Sequence, residues 1–528
     1  MKKIFLIIAI SSSIIFSQNE QQGIELPDFV ITGKQNIDLP VAIKKKPELI
    51  STISKDFLTP QFSPEELALF FSTDPVPVRP GIKETNQYFA GTIKMEAGRY
   101  SLPAGLISLN QSFENYLLNA SAWGVNSLEH IPNSGFNKFG FSLTNEFYFS
   151  TKSDFVPGSK IKIAAEYQRS SYYLYASAVP NFLREINNGN AAFSFENKYN
   201  RWINICAFAS GNILSLGENG FKETNLNFDG LLEFKINSIS IGVTGKYINQ
   251  NLNNNLSGSA GNSFYSASGF MNLYSMSFLK IKFGIEYASN SSDIFISPFA
   301  AMQIKFDKGL SLLVGFNPHS EYITNTKLIN QNPFYTPGVT DNIFTRSKFN
   351  FNGKLIYEYE KLFSVSLNGD YSKIENHFYY NDITDKGKYD ITLLPESKIF
   401  SASMNFVLYP VKWGYIDGQI KFCDARDNLD NFIPYSPAFS SSISYGYDYE
   451  NAFGFKTKYT ITLNTYSDIT NSNKLIDYHN ISLSFYYELF KGLKLTADFQ
   501  NIFNRANFVW KDYQEKPFDI LFGAEYRW

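Results

Sequence analysis

The chain is poor in charge, cysteine, histidine and long apolar runs, and each shortage removes a class of protein. Charged residues make up 18%, against ~25% in ordinary globular chains. The 47 Lys and Arg nearly balance the 49 Asp and Glu, for a net charge of −2, which leaves no basic footprint for nucleic acid. Two cysteines, Cys206 and Cys423, exclude a disulfide framework. A single bridge and two inert side chains both remain open, and the scarcity is compatible with an oxidising compartment. The four histidines, His130, His319, His377 and His479, form no H-E-x-x-H pattern, and neither G-x-S-x-G nor a P-loop occurs. No catalytic residues, metal ligands or cofactor are therefore expected. His319 and His377 fall in expected outer loops and could meet in space, although a solvated loop residue is the commoner state of a lone histidine. After the first residues no stretch reaches the ~18 apolar residues that a spanning helix requires.

What the chain has is aromatic residues, 50 Phe and 34 Tyr among 528, arranged in alternation. In the final "FDILFGAEYRW", Ile520, Phe522, Ala524, Tyr526 and Trp528 share one face, with Gly523, Glu525 and Arg527 on the other. In "LFSVSLNGDYS", Phe363, Val365, Leu367 and Tyr371 oppose Ser364, Ser366, Asn368 and Asp370. "ISLSFYYELFKGLKLTADFQ" is a complete hairpin about Lys491-Gly492 that keeps one apolar face through the turn. "LLEFKINSISIGVTGKY" and "MQIKFDKGLSLLVGF" repeat the plan about Asn237-Ser238 and Asp307-Lys308-Gly309, with the Gly, Asn and Asp that tight hairpins need. Period-two alternation with aromatics on one face fits strands that have lipid on one side and a polar lumen on the other.

Connections also alternate. Counting back from Trp528, short turns fall at 490–492, 449–452, 409–413, 360–362, 307–309 and 236–238. Longer loops fall near 503–517, 465–477, 424–439, 376–397, 317–345 and 210–223. Short turns on one side and long loops on the other are the habit of outer-membrane barrels. In lipid every backbone group needs a partner, so the sheet must close. The predicted fold is all-β: a transmembrane antiparallel up-and-down β-barrel of about 22 strands over 88–528. An even count puts both termini in the periplasm of a Gram-negative-type cell.

The N-terminus reads differently. Lys2, Lys3 and a short apolar run broken by Ser11, Ser12 and Ser13 predict a signal peptide over 1–17. Residues 18–87 hold 8 of the 21 prolines, so this segment is expected to be extended or irregular, with one short helix at "SPEELALFFS" capped by Ser63 and opened by Pro64.

The C-terminal stretch from "LTADFQNIFNRANF" to "EYRW" resembles that of TonB-dependent receptors. In that family a penultimate strand ends in N-[LI]-F-N, here Asn501, Ile502, Phe503 and Asn504, and a loop leads to a final strand closing on an aromatic residue, here Trp528. "FIPYSPAFSSSISYGYDYE" is similar to the family's proline-flanked entry to a late strand, through Pro434 and Pro437. The resemblance covers roughly the last hundred residues by motif and earlier strands by pattern alone. It implies a transport or ligand-uptake barrel, inserted by the barrel-assembly machinery through a C-terminal signal carried by Phe522, Tyr526 and Trp528. The same three side chains also serve as lipid contacts. Near the start, "LPDFVITGKQ" resembles a stretch leading into a receptor plug, and "LISTISKDFL" a plug strand and helix start. There Phe29, Val30, Ile31 and Thr32 would pair with TonB or another periplasmic protein by strand addition; an ordinary β-prone tail has the same residues. The 70 residues of 18–87 are too few for the family's plug. Either they form a reduced plug, or a partner fills the pore, or the lumen is partly open.

Glu233, Glu358, Asp370, Glu488 and Asp498 alternate with apolar neighbours and are expected to face the lumen, as wall cross-links or ligand contacts. Tyr335, Tyr379 and Tyr380, in loops rich in aromatics and asparagine, are candidate stacking contacts for a ligand. The sequence does not name that ligand. Two other functions fit the same pattern: a barrel that docks or anchors an envelope protein, and a passive diffusion pore.

Overall fold

The computed structural model describes residues 89–528, apart from 153–155, 277, 291–292, 307–308, 340–342, 360–361, 410–413 and 450–451. The signal peptide, the helix at Ser63–Ser72 and the segment Phe29, Val30, Ile31 and Thr32 lie outside the described residues.

The alternation does what it predicts. Successive strands pair antiparallel from Gly91–Gly98 onward, each with the next, and the last, Asp519–Arg527, returns to the first. Leu310–Phe316 and His319–Ile323 are two halves of one stave, since both pair with Ile343–Tyr359. The result is a closed barrel of 22 strands. At the seam Ile93 faces Tyr526 and Met95 faces Ala524, and Gly91 and Trp528 exchange both backbone hydrogen bonds, at 3.2 and 3.1 Å. Both ends of the described chain therefore sit at one rim.

Register separates the two faces. Met95, Ile107, Phe141, Ile163, Val243, Ile285, Leu367, Phe485, Leu495 and Phe522 belong to the exposed apolar set and point outward. Their immediate neighbours point inward and are mostly polar or small, such as Lys94, Glu96, Ser142, Thr244, Ser366 and Lys494. An apolar outer face on a closed ladder suits hydrocarbon, because no backbone donor is left over on any edge.

The hairpins expected at 236–238 and 490–492 form, with Asn237 at φ 51° and Gly492 at φ 90°. They lie at the rim that holds both chain ends, as do Gly309, Leu362, Tyr409 and Ala452. Two expected outer loops are corrected. Over 376–397 the chain does not loop: strands Phe363–Asp385 and Lys388–Leu408 run on together and turn only at 386–387. Over 210–223, strands Ile203–Leu216 and Lys222–Ile236 leave only five residues between them. In both places the ladder continues past the hydrocarbon, where neither face meets lipid, and the apolar period that marks a strand is lost. The sorting of turns by length therefore holds only in part. At the rim opposite the chain ends, the connections 99–100 and 255–257 are short, while at the rim of the chain ends strands Phe136–Tyr148 and Ser159–Tyr173 are separated by ten residues.

Candidate functional site: a polar lumen beneath a capped mouth

The five carboxylates predicted to face the lumen all stand on the inner side of their strands, by register against outward Phe234, Tyr359, Tyr371, Leu489 and Leu495. Glu233 is buried and cross-links four strands. It accepts from Asn204 Nδ2 at 3.1 Å, Ser240 Oγ at 2.5 Å and Asn272 Nδ2 at 2.9 Å. Glu488 accepts from the Gly492 backbone N–H at 3.1 Å, and Asp370 from Ser401 Oγ at 3.5 Å. These are bonds within the wall. Cys206 and Cys423 are free thiols on separate strands. Among the described residues no group of three His, Cys, Asp or Glu could hold a metal ion.

The unforeseen feature is the mouth at the rim opposite the chain ends, which the protein closes with its own loops. Three pieces build this cap. The first is the hairpin of strands Phe363–Asp385 and Lys388–Leu408. Its tip lies against the connection 174–182, which is rooted nearly half the circumference away. A Cβ at Gly387 would stand 2.5 Å from the Ala176 carbonyl oxygen, and Gly387 has φ 71°. Only glycine suits both the turn and the close approach.

The second piece is the strap 501–518 between the last two staves. Its base is the Asn-Ile-Phe-Asn motif, and the structure gives that motif a physical role. Asn501 and Asn504 take φ of 47° and 50°, a left-handed conformation that asparagine tolerates. Asn501 Nδ2 donates to the Arg505 and Lys516 carbonyls at 2.8 and 3.0 Å, and Asn504 Oδ1 accepts from Phe518 N at 3.0 Å. The two asparagines thus tie both ends of the strap together. Farther out, Tyr513 stacks on Phe334 with centroids 3.4 Å apart and donates to the Gly387 carbonyl at 2.6 Å. Trp510 packs among Tyr380, Tyr389 and Tyr435. His130 Nε2 and Tyr175 Oη both donate to the Gln514 carbonyl, at 3.0 and 2.8 Å. Burial pushes the Tyr435 and Tyr513 phenols upward, so both stay protonated.

The third piece is the inward-folded segment 324–339 with its helix α1 (Asn325–Gln331). Thr324 caps α1 by accepting from Lys327 N. The buried Glu223, on strand Lys222–Ile236, accepts from Asn325 N at 2.9 Å, Thr326 N at 2.7 Å and Thr326 Oγ1 at 2.6 Å. A carboxylate meeting free N–H groups at a helix start satisfies orphan donors. Arg184, fully buried at 0% exposure, fixes the other end. Its Nη1 donates to the Pro333 and Tyr335 carbonyls at 2.9 and 2.7 Å, and its Nη2 to Thr336 Oγ1 at 3.1 Å and to Glu218.

The pieces meet in one apolar core. Tyr172, Leu174, Ile186, Leu214, Leu216, Phe221 and Leu252 contribute from one wall, Leu328, Ile329, Phe334 and Tyr335 from the inward segment, and Tyr380, Tyr389, Trp510 and Tyr513 from the other side. This corrects the placement of the candidate ligand tyrosines. Tyr335, Tyr379 and Tyr380 are buried at 0%, 7% and 7% exposure and offer no free stacking face. Tyr335 donates to Asn325 Oδ1 and Tyr380 to the Leu328 carbonyl, both at 2.9 Å. An aromatic-rich loop here signals its own core. His319 and His377 lie on strands, paired with Ser347 and Leu394, and not in loops. Phe522, Tyr526 and Trp528 remain outward and exposed, as expected. Arg184 and Glu223 escaped the sequence reading, because locally each is one more inward polar residue on a strand.

No family model matches the chain, and neither does any curated protein sequence. Solved structures share its fold. The copper transporter OprC aligns with TM-score 0.63 at 10% identity, over 83% of this chain and 80% of that one. The siderophore receptor PirA from Acinetobacter baumannii gives 0.64 at 10%, over 83% and 80%. The FrpB iron transporter from Neisseria meningitidis gives 0.64 at 9%, over 84% and 82%. The barrel is thus similar in fold to transporters and receptors, as the C-terminal resemblance implied.

Proposed function

We propose that the chain is an outer-membrane barrel of the TonB-dependent-receptor type that takes part in uptake of a ligand, admitted when the cap opens. The observation that carries this reading is a mouth spanned by a packed cap on a wall wide enough for a channel. A passive pore has no use for a cap anchored by two buried charges. The fold shared with OprC, PirA and FrpB supports a receptor barrel. By analogy, the ligand would be a compound too large or too scarce to diffuse in.

In this reading residues 1–17 direct export, both termini face the periplasm, and 18–87 act there as a reduced plug. Phe29, Val30, Ile31 and Thr32 add a strand to the partner that energises opening, and the assembly machinery recognises Phe522, Tyr526 and Trp528. Pull-down with the periplasmic domain of TonB is expected to retain the wild-type protein and to lose Val30→Pro, because proline removes a ladder donor. If wild-type protein is not retained, energised uptake falls and the barrel is better read as a dock for another envelope protein.

A further inference from the structure

The strap carries a charge that the wall repels. Phe136 and Lys138 are two residues apart on the inner face of strand Phe136–Tyr148, opposite outward Phe139 and Phe141. Lys138 Nζ stands 5.4 Å from the Phe136 ring centroid. Lys516, on the strap, places its own Nζ 5.3 Å from the same centroid. Closing the mouth therefore brings two ammonium groups to one phenyl ring. Among the described residues neither lysine forms an ion pair. The Lys516 ammonium donates one hydrogen bond among the described residues, to Ser101 Oγ at 2.9 Å. Asp519 acts on it favourably from farther off, with Oδ1 accepting from Tyr100 N at 3.2 Å and Ile520 N at 2.9 Å. Burial brings Lys516 down to about 8, so at neutral pH most molecules still carry the charge. The neighbouring His130 is held below its usual value by burial and by Lys516, so it adds little charge there.

A ring face offsets part of the cost of a half-desolvated ammonium, but one ring shared by two cations leaves a repulsion that Asp519, acting from farther off, offsets only in part. An oxyanion would cancel it and accept charge-assisted hydrogen bonds from both. We propose that Phe136, Lys138 and Lys516 form an anion-binding subsite beneath the cap, and that an oxyanion group of the cargo, held by both lysines, fastens the strap to the wall. The subsite links occupancy to closure, since Lys138 is fixed in the barrel and Lys516 moves with the strap. It rests on the uptake reading only in making the oxyanion part of the cargo.

The test is deuterium uptake over residues 506–516 in the purified full-length protein, with citrate as the probe and sodium chloride at matched ionic strength as control. Citrate is expected to slow exchange about tenfold beyond chloride, as one or two charge-assisted hydrogen bonds would. Lys138→Met, which has no hydrogen bond to lose, is expected to slow exchange without citrate and to abolish the citrate response. Lys516→Met is expected to do likewise despite losing the Ser101 contact. Equal effects of citrate and chloride, or a citrate response that survives in both variants, would overturn the subsite. A citrate response in a protein that transports nothing would keep the subsite and remove the cargo; transport without a citrate response would do the reverse.

Discussion

Arg184→Ala is expected to turn a quiet barrel into a conducting one. The wild-type guanidinium sits wholly out of water and joins Glu218 to two carbonyls and a hydroxyl of the inward segment. Removing it takes the guanidinium's hydrogen bonds from the Glu218 carboxylate, the Tyr335 carbonyl and the Thr336 hydroxyl, while the Pro333 carbonyl keeps the Tyr172 hydroxyl. Breaking a buried pair from one side costs about 3–5 kcal/mol. That shifts the balance between closed and open cap by roughly 10²–10³-fold, at about 1.4 kcal/mol per factor of ten. In planar bilayers, with 18–87 deleted from both proteins so that only the cap blocks the lumen, the wild-type barrel is expected to stay silent and the variant to show channel openings. Arg184→Lys should fall between, because one ammonium cannot reproduce a fork to four acceptors. The wall of inter-strand bonds is untouched, so migration of the unboiled variant in SDS should match wild type. Silence from both proteins would mean that Arg184 does not hold the mouth shut.

The second large effect is at the seam. Deleting residues 520–528 is expected to abolish the barrel. The last strand pairs with Gly91–Gly98 on one side and Leu493–Gln500 on the other. Without it two edges face hydrocarbon, and each unsatisfied backbone group there costs several kcal/mol. Closing the remaining strands directly would force the first and the new last strand to run parallel, against a ladder that is otherwise antiparallel throughout. Heat-modifiable migration should vanish and the product should appear in the insoluble fraction. A milder variant separates the two roles of the terminal aromatics. Phe522→Ser with Tyr526→Ser keeps the strand, so detergent refolding in vitro should persist, while assembly in cells should drop if the machinery reads those side chains. Equal yields in cells would leave lipid contact as their only role.

Legibility in the sequence followed the membrane. Where one face meets lipid and the other the lumen, the two environments write a period of two, so Phe363–Tyr371, Ile481–Phe499 and the final strand could be read to the residue. The inward carboxylates followed from the same rule. Past the hydrocarbon the rule lapses. From Asn376 to Ser397 both faces of the hairpin meet water or protein, and a continuous ladder looked like a loop. The cap was invisible for a related reason. Arg184 and Glu223 find their partners on the inward segment more than a hundred residues away, and its inward fold has no local signature. Tyr335, Tyr379 and Tyr380 were noticed for the right property, aromaticity, and given the wrong surroundings, since aromatics in a loop can serve a ligand or the loop's own core. The Asn501–Asn504 motif marks the strand end by likeness alone, and its physical role lies in two left-handed asparagines that tie the strap.

Zero-length carbodiimide coupling on intact cells is the most direct test of the capped mouth. Lys386 Nζ stands 3.5 Å from Asp512 Oδ2, and Lys511 Nζ 3.2 Å from Asp382 Oδ2. Each pair joins the long hairpin to the strap across the opening. Lys373 and Glu396, 2.8 Å apart within the hairpin itself, are the control. Recovery of all three coupled peptides by mass spectrometry is the expected result. Coupling of the control alone would mean that the strap and the hairpin do not meet, and that the mouth stands open.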